Sequence, residues 1–456
     1  AGWVLRRPGR SPDPLDAWLP IGAVVLAGFV AVRADPFLAL LDGAAATALT
    51  GASVVAFSGL AVTRRSASVV VTMAAWVLEG VVAGTSRAVR RARTPREAGP
   101  RSRPAWLGPL ARGLFLAIPL VLIFAVLFAS ADPIFRRGLD DVLGLRIDLG
   151  DLPGRVLFAL SAAWFVGGLL SVAASGIPDL ERASLGAASR SASLVAERVL
   201  GAAEAIVVLV AVDLVVALFV GLQVAYLFGG LDTLSAAGMT YSDYARRGYF
   251  ELVAAAGLAG GILVGLELAV RSRPRVYLAL SLMLVGLTVA VLASAALRLQ
   301  LYQDAYGWTE LRLYVAVSIA AMAVALAVLA TFLAVDRTRW LGHAMAVIGL
   351  VALVGLNVLA PAAFVAQRNV ERVIDPSLVP ADGFAGLDTD YLTVLPDDAV
   401  PVLVDALQRL PPAEADRVRT LLRWRGTQLR GDASVASPAA WNLARAEAMR
   451  RLAELP

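Results

Sequence analysis

Three polar side chains lie inside apolar segments, where ionisable groups are rare. Asp213 is the ninth residue of the apolar run 205–228, Gln223 lies further along it, and Glu267 lies near the end of the run 252–270. A charge at the centre of a bilayer costs at least about 2.5–3.5 kcal/mol, so Asp213 must face the protein interior or water, or carry a proton. The three residues are a candidate proton or cation site of a secondary transporter. The alternative is a buried polar contact that holds a helix bundle together.

Residues for common enzyme chemistry are scarce. The chain has one histidine, His343, and no cysteine, which excludes disulfides, a Cys–His pair and a His-rich metal site. It has no GxxxxGK[ST], HExxH or GxSxG motif. Carboxylates such as Asp132, Asp304 and Glu310 could still serve a membrane enzyme, but their spacing singles out no site. No catalytic residue, metal or cofactor is predicted.

The elements that would position these residues are membrane helices. Hydrophobic residues make up 59% of the 456-residue chain, against roughly 45–50% in soluble domains, and the mean hydropathy is +0.72. Seven apolar runs are each long enough to cross about 30 Å of hydrocarbon. They are residues 107–130, 156–174, 205–228, 252–270, 276–297, 313–335 and 341–365. Residues 107–366 are therefore predicted to be a seven-span core of an all-α fold.

The N-terminal part fits a regular alternation of spans less well. Residues 1–15 are polar, and residues 16–86 contain the apolar runs 18–32, 44–62 and 67–84, the first of them short. The run 67–84 contains Glu79 and lies between two basic segments that both favour the cytoplasm, so an interfacial or re-entrant helix is expected there. The prediction is about nine spans, with ten or eleven as alternatives.

The distribution of arginine among the loops predicts the orientation of the helices in the membrane. Residues 87–106 contain seven arginines and one acidic residue, Glu97, and basic loops face the cytoplasm. With this loop inside, residues 298–312 and residues 367–456 lie on the outer side of the membrane. The net charge of +5 belongs to loops, and no nucleic-acid partner is predicted because no basic surface is interleaved with aromatic residues.

Charged residues recur at three predicted outer boundaries. They follow the first span of the core, precede the span 313–335, and follow the last span. We hypothesise that they form one charge-paired network on which the C-terminal region docks; the alternative is three unrelated anchors. The candidate residues are Asp132, Arg136, Glu310, Arg312, Asn369, Glu371 and Arg372.

The C-terminal region, residues 367–456, is polar and interrupted by prolines. Apolar residues recur at helical spacing within 397–410, 413–430 and 441–455, and residues 389–395 could form a shorter helix. These segments are too short and polar to span a bilayer, so they predict a small extracytoplasmic cap. A protein-binding role and a simple lid both fit this pattern.

Two further patterns concern helix packing. Gly257, Gly261 and Gly265 share one helix face, which favours close packing inside the protein or, alternatively, a homo-oligomer. Asn357 and Pro361 predict a kink in the last span.

Several segments in combination resemble a known family. They are ASADPIFRR (129–137), YGWTELRLYV (306–315), NVER (369–372), LDTDYLTVLPDDAVPVLV (387–404) and WNLARAEA (441–448). Over residues 107–456 the chain resembles an uncharacterised bacterial family of polytopic membrane proteins, domain of unknown function 4173, to which domain 4153 is related. The resemblance implies a protein of the bacterial cytoplasmic membrane, and it implies no activity and no site residues.

Three classes of function remain, in order of preference. The first is a non-enzymatic scaffold or signalling partner that acts through the outer cap, and the absence of catalytic motifs favours it. The second is a transporter based on Asp213. The third is a membrane enzyme that acts on lipid or an envelope precursor. The expected partners are the lipid bilayer and, for the first class, a protein bound at the cap.

Overall fold

Every regular element in the described part of the chain is a helix. The computed structural model describes residues 14–57, 106–143, 200–229, 248–270, 272–381, 383–431 and 441–455. These residues form fourteen α-helices and a few short 3-10 turns, and their β-type pairing is limited to an isolated bridge between Leu200 and Val270. The all-α prediction is confirmed.

The membrane region contains nine of these helices. They are α1 (Trp18–Val30), α2 (Pro36–Phe57), α3 (Leu107–Ala131), α4 (Pro133–Leu143), α5 (Ala202–Gly229), α6 (Tyr249–Ala269), α7 (Arg275–Tyr306), α8 (Glu310–Ala334) and α9 (Leu341–Leu359). All except the short α1 and α4 are long and apolar enough to cross a bilayer, which makes seven candidate spans among the described residues. The expected span at 156–174, the helix at 67–84 and nearly all of the loop 87–106 lie outside those residues.

The boundary between α7 and α8 differs from the expected one. The apolar runs predict a connection over residues 298–312, but α7 continues to Tyr306 and α8 begins at Glu310. The turn therefore consists of three residues, and its first, Gly307, has a φ of +82°. Glycine tolerates this left-handed conformation because it has no side chain. The polar residues of this stretch thus lie on helix ends.

The predicted kink near Asn357 and Pro361 is a complete break. Ala360 has a φ of +53° and separates α9 from α10 (Pro361–Ile374). Proline suits the first position of α10 because that position needs no intrahelical N–H donor. Helix α10 is amphipathic and buries Val365, Ala366 and Val370.

The helices group into two compact units. The described residues of the first unit lie within Ala1–Arg64, Ala296–Ala321 and His343–Pro456, and those of the second lie within Arg65–Ala295 and Met322–Gly342. The C-terminal region therefore packs with the N-terminal helices, from which it is distant in sequence.

In the first unit, α1 and α2 form a helical hairpin that contacts α9. The ring centroids of Trp18 and His343 are 5.4 Å apart, and a Cβ on Gly22 would lie 3.0 Å from the Leu350 side chain. These contacts advance in the same direction along both helices, so α1 and α9 run parallel and α2 runs back. The α1–α2 turn, residues 31–35, consequently lies near the end of α9 where α10 begins.

The C-terminal cap, residues 367–456, shares one hydrophobic core with the ends of the neighbouring membrane helices. After α10 it contains α11 (Thr389–Val394), α12 (Val400–Ala406), α13 (Pro412–Gly431) and α14 (Leu443–Ala453), close to the helices predicted from apolar spacing. Leu403, Leu422 and Leu452 pack in one buried cluster with Val365 of α10 and Leu313 of α8. Because each fully buried leucine contributes about 1.5–3 kcal/mol, this shared core fixes the cap to the ends of the membrane helices in this unit.

The second unit is held by close packing of α3, α5 and α6. Phe128 of α3 stacks on Phe219 of α5 with centroids 4.0 Å apart, and a Cβ on Gly113 would lie 2.8 Å from Val207. Gly248, with a φ of +87°, lies directly against Ala131 at the start of α6. These contacts require small or aromatic residues at particular positions, so packing specifies the arrangement of the three helices.

Candidate functional site

A cluster of acidic side chains joins the cap to the membrane helices of the first unit. Asp35, only 4% exposed, accepts hydrogen bonds from the backbone N–H groups of Phe37 (2.8 Å) and Leu38 (3.1 Å) at the start of α2. Its other oxygen accepts a hydrogen bond from the Tyr314 hydroxyl of α8. Asp35 therefore both begins α2 and ties it to α8.

Asp398 of the cap binds the same α1–α2 turn. It accepts a hydrogen bond from the backbone N–H of Ala34 at 2.8 Å and forms an ion pair with Arg33 at 3.2 Å. Two backbone hydrogen bonds lie beside this pair, from Leu443 N–H to the Ala31 oxygen (2.9 Å) and from Ala444 N–H to the Val32 oxygen (3.0 Å). The turn is thus held by two separate segments of the cap.

Glu310 completes the cluster. Its backbone N–H donates to the Tyr391 hydroxyl oxygen of the cap at 2.8 Å, and its carboxylate interacts electrostatically with those of Asp35 and Asp398. One Glu310 oxygen is buried and has no hydrogen-bond partner in the described part of the chain. We call this cluster the cap junction; its residues are Arg33, Asp35, Glu310, Tyr314, Tyr391 and Asp398.

The chemistry of the cap junction follows from its charges. Three carboxylates face one guanidinium, so full ionisation would leave like charges close together in a partly desolvated place. Burial raises the pKa of Tyr391 to about 12, while the hydrogen bond from the Glu310 N–H opposes that rise. The junction can accept protons, and no group of acids or histidine among the described residues has the geometry of a metal site.

Beside the junction, two cap residues clamp the α7–α8 turn. The Asn369 side chain accepts from the Trp308 N–H at 2.8 Å and donates to the Trp308 oxygen at 2.9 Å. The Arg372 guanidinium donates to the carbonyl oxygens of Gln303 (3.1 Å), Asp304, Ala305 (3.3 Å) and Phe384 (3.0 Å). The last carbonyls of a helix lack intrahelical donors, so Arg372 caps the C-terminus of α7.

The charge of Arg372 is buried with it. The side chain is 7% exposed, and burial lowers the pKa of its guanidinium, whereas the nearby Asp304 carboxylate raises it and Arg312 lowers it further. Arg312 itself stacks over the Tyr302 ring at 3.8 Å and donates to the Gly307 oxygen.

The predicted outer network is therefore assembled in part. Glu310, Arg312, Asn369 and Arg372 contact the α7–α8 turn or its flanking residues. Glu371 instead pairs with Arg368 at 3.3 Å on the exposed side of α10. Asp132 and Arg136 belong to the second unit.

In the second unit, Asp132 has a local structural role. It is 1% exposed and accepts from the N–H groups of Ile134 (2.9 Å) and Phe135 (3.3 Å), so it is the N-terminal capping residue of α4. The backbone N–H of Arg136 continues this first turn by donating to the Asp132 carbonyl oxygen at 3.0 Å.

The three intramembrane candidates occupy different depths of the second unit. The bridge between Leu200 and Val270 sets a common level for α5 and α6. Asp213 lies thirteen residues beyond Leu200 and Glu267 three residues before Val270, an offset of about 15 Å at a rise of 1.5 Å per residue. Gln223 lies ten residues further along α5, again about 15 Å.

Their contacts differ as well. Asp213 is 1% exposed, and neither carboxylate oxygen has a hydrogen-bond partner among the described residues. Glu267 pairs with Arg273 and accepts from the Tyr277 hydroxyl at 3.4 Å, and Arg273 pairs in turn with Asp336 at 2.6 Å. The structure thus places Glu267 in an ion-pair network at the end of α6, separate from Asp213.

Sequence reasoning missed most residues of the cap junction. Arg33, Asp35 and Asp398 lie in short polar turns that give no periodic signal. A proline after an aspartate, as at Asp35–Pro36, is a helix-start signal that could have identified the first of them. Nothing local shows that Asp35 and Asp398, 363 residues apart, lie in one cluster.

A second missed cluster stabilises the cap internally. Asp397 is 2% exposed and accepts from Arg425 of α13 at 2.9 and 3.1 Å and from Arg445 of α14 at 2.9 Å. Arg425 also donates to the carbonyl oxygens of Thr393 and Leu395 at 3.3 and 3.1 Å. One buried carboxylate therefore joins two cap helices to the residues after α11.

The glycine face on α6 is partly open. Gly257 and Gly261 are exposed in the structure. Among the described atoms, a Cβ on Gly257 would touch Met322 alone, at 3.8 Å, and a Cβ on Gly261 would meet none within 4 Å. Homo-oligomer formation through Gly257, Gly261 and Gly265 stays a prediction.

The helices and their hydropathy define a multi-pass helical membrane protein. A family model described as Domain of unknown function (DUF4153) matches residues 21–406, and the chain belongs to that family. The match includes α1 and α2, which lie before the segments on which the resemblance was based, and it ends in α12. No curated protein and no solved structure matches the chain.

Proposed function

We propose that this protein is a non-enzymatic scaffold of the bacterial cytoplasmic membrane, whose extracytoplasmic cap binds a signalling or envelope partner. The observation that carries the proposal is the rigid attachment of the cap to the helix ends of the first unit. A lid that opens needs few bonds to the body of the protein. Here the cap shares a hydrophobic core with α8 and α10, and three polar side chains, two of them buried, hold it in place.

The three side chains bind three different places: two turns and one helix end. Asp398 holds the α1–α2 turn, Asn369 holds the α7–α8 turn, and Arg372 holds the end of α7. A partner bound to the cap would therefore be coupled mechanically to these membrane helices. This coupling favours a docking platform over a lid.

The outer surface of the cap offers groups for such a partner. Trp424 on α13 is 47% exposed and Phe384, before α11, is 55% exposed. Aromatic residues are enriched at the centres of protein interfaces. The helix that carries Trp424 has five arginines against two acidic residues, Glu414 and Asp416, and this excess of positive charge favours a partner with an acidic surface.

Orientation is tested first, with engineered cysteines. The chain contains no cysteine, so a single introduced thiol is the sole target for a membrane-impermeant maleimide. Thr420→Cys on the cap should react in intact cells, and Asp336→Cys, in a segment predicted to be cytoplasmic, should react only after lysis. The reverse pattern would overturn the extracytoplasmic placement of the cap.

Partner binding is tested by photo-cross-linking in living cells. A photoreactive amino acid at Trp424 should give one discrete protein adduct, whereas the same group at Val418, which is 0% exposed, should give none. The adduct should disappear in an Asp398→Ala, Arg372→Met background, because cap attachment is then weakened. Adducts to lipid alone from every exposed cap position would refute the scaffold proposal.

A second candidate function is secondary transport through Asp213. It is favoured by a carboxylate that is 1% exposed and has no hydrogen-bond partner among the described residues. Under this alternative, proteoliposomes carrying the protein dissipate an imposed pH gradient, and Asp213→Asn abolishes that flux while the protein stays folded. Equal flux in both variants would remove Asp213 as a transport residue.

A further inference from the structure

A buried acid–amide pair lies within the membrane-spanning part of the first unit, outside the cap junction. Asp42 of α2 and Asn357 of α9 are each 0% exposed. The Asn357 Nδ2 donates to Asp42 Oδ1 at 2.9 Å and to the Leu353 carbonyl oxygen at 3.0 Å. The pair therefore forms a buried polar link between two membrane-spanning helices.

Two oxygens of this pair lack donors. Asp42 Oδ2 and Asn357 Oδ1 are both buried, and neither has a hydrogen-bond partner in the described part of the chain. A buried acceptor without a donor costs about 1–3 kcal/mol, and more when it is charged. The one amide donor of the pair is already used, so a further proton is the simplest group that satisfies these oxygens.

The cations of the surrounding elements bind other groups: Arg33 of the α1–α2 turn pairs with Asp398, and Arg312 of α8 donates to the Gly307 oxygen. The charged group of the described residues that acts on Asp42 is the Asp35 carboxylate. Helix α1 has no ionisable side chain, and on α2 the nearest charged group is Asp35, seven residues and about 10 Å away. From α8, Tyr314 bonds Asp35, and the Glu310 carboxylate interacts with that of Asp35. The ionisable group of α9, His343, packs on Trp18 at the far end of that helix.

The neighbouring space is apolar. An open groove of about 420 Å³ lies between α2, α8 and α9 and is lined next to the pair by Leu41, Leu353 and Leu356. The one hydroxyl of its lining, that of Ser318, donates to the Tyr314 carbonyl oxygen at 2.8 Å, so the lining donates no hydrogen bond to the Asp42 carboxylate. An ionised Asp42 would consequently be an uncompensated charge at membrane depth, which is costly.

We propose that Asp42 and Asn357 form an intramembrane proton-binding site, in which Asp42 Oδ2 carries the proton. Binding converts the carboxylate to a carboxylic acid, whose O–H becomes a donor, while Oδ1 keeps its hydrogen bond from Asn357. Release forms the carboxylate and gives the proton to solvent base as the pH is raised. The site is independent of whether the cap binds a partner.

Infrared spectroscopy of the full chain in lipid vesicles tests the site. The wild-type protein should show a C=O stretching band of a protonated carboxyl group that shifts on ¹³C-aspartate labelling and loses intensity as the pH is raised. Asp42→Asn should remove this band. Asp416→Asn, a control at an exposed cap position with 73% side-chain exposure, and Asp213→Asn should leave it unchanged.

A second variant covers the case in which Asp42→Asn does not fold. Asn357→Leu removes the hydrogen bond to Asp42 Oδ1 and should move the same band to higher frequency, because a hydrogen-bonded C=O is weaker. Absence of an aspartic-acid band at low pH, or a band that neither variant alters, would overturn the proposal. So would a band that persists unchanged at every pH up to unfolding, since that is a fixed neutral acid.

Discussion

Replacing Arg372 by methionine removes the group that closes the end of α7. The four carbonyl oxygens that Arg372 binds differ in whether another hydrogen-bond donor remains after the substitution. Those of Gln303 and Ala305 keep a second backbone N–H donor, whereas those of Asp304 and Phe384 lose the guanidinium donor that the structure gives them. Each carbonyl left without a donor costs about 1–3 kcal/mol. Water can partly replace the donor at the exposed Phe384, so we expect the free energy that attaches the cap to fall by about 3 kcal/mol.

The assay is the opening of the cap, measured with a single thiol. Ala406→Cys places a cysteine in the cap core at a position 3% exposed, in a chain with no other thiol. At 1.4 kcal/mol per factor of ten, Arg372→Met should speed its labelling by a maleimide about a hundredfold. Arg372→Lys, which keeps the charge but not the planar fork, should give an intermediate rate.

Arg368→Met is the matched control. Arg368 lies one turn earlier on α10 and pairs with Glu371 at 3.3 Å while its side chain is 51% exposed. An exposed pair of this kind contributes at most about 0.2–1 kcal/mol, so labelling should change less than about fivefold. If the thiol reacts no faster in Arg372→Met than in Arg368→Met, the carbonyl oxygens do not depend on Arg372, and Arg372 does not attach the cap.

Three further predictions concern other parts of the molecule. Gly248→Ala should destabilise the second unit by at least about 2 kcal/mol in thermal unfolding, because its Cβ would lie 2.6 Å from a backbone carbon of Ala131 at a φ of +87°. Gly221→Ala is the control and should not, since a Cβ there meets no described atom within 4 Å. Equal destabilisation by both variants would show that the contact at Gly248 does not hold this unit. Asp397→Ala should destabilise the cap by about 3–5 kcal/mol, since it leaves two partly buried arginines without their carboxylate. Asp405→Ala, at a side chain that is 64% exposed, should destabilise it by less than about 1 kcal/mol. A similar loss of stability in both variants would refute the role of Asp397. The pKa of Tyr391 is 10 when unperturbed and about 12 in the folded protein. The unfolded chain therefore ionises first, and the free energy of unfolding falls as the pH rises between these values. Tyr391→Phe should make this fall less steep in unfolding measured against pH, and an unchanged slope would exclude Tyr391 as its cause.

The helical class and most membrane helices were predictable because hydropathy is a local property. The runs 107–130, 205–228 and 252–270 each became a helix within a few residues of the predicted bounds. The cap helices were also found, since their apolar residues recur at helical spacing. The prediction is wrong at the facing ends of α7 and α8. Polar residues there are expected to end the helices, but both helices include them because cap residues pair the terminal backbone groups.

Of the cap junction itself only Glu310 was predictable, together with the clamp beside it. Glu310, Arg312, Asn369 and Arg372 stand out in sequence as charged or amide groups beside apolar runs, and the structure brings them to one turn. Asp35 and Asp398 could not be paired in this way, because their proximity depends on the return of the C-terminal cap to the α1–α2 turn.

By itself, the sequence determined that the chain is a helical membrane protein with a polar C-terminal region, because both properties follow from side chains averaged over about twenty residues. Only the tertiary structure decided which polar groups meet. It separated Glu267 from Asp213 along the bundle, placed Asn357 on Asp42, and gave Arg372 its carbonyl oxygens. Hydrogen bonds and buried charges depend on ångström-scale distances between residues far apart in the chain, and hydropathy carries no information about those distances.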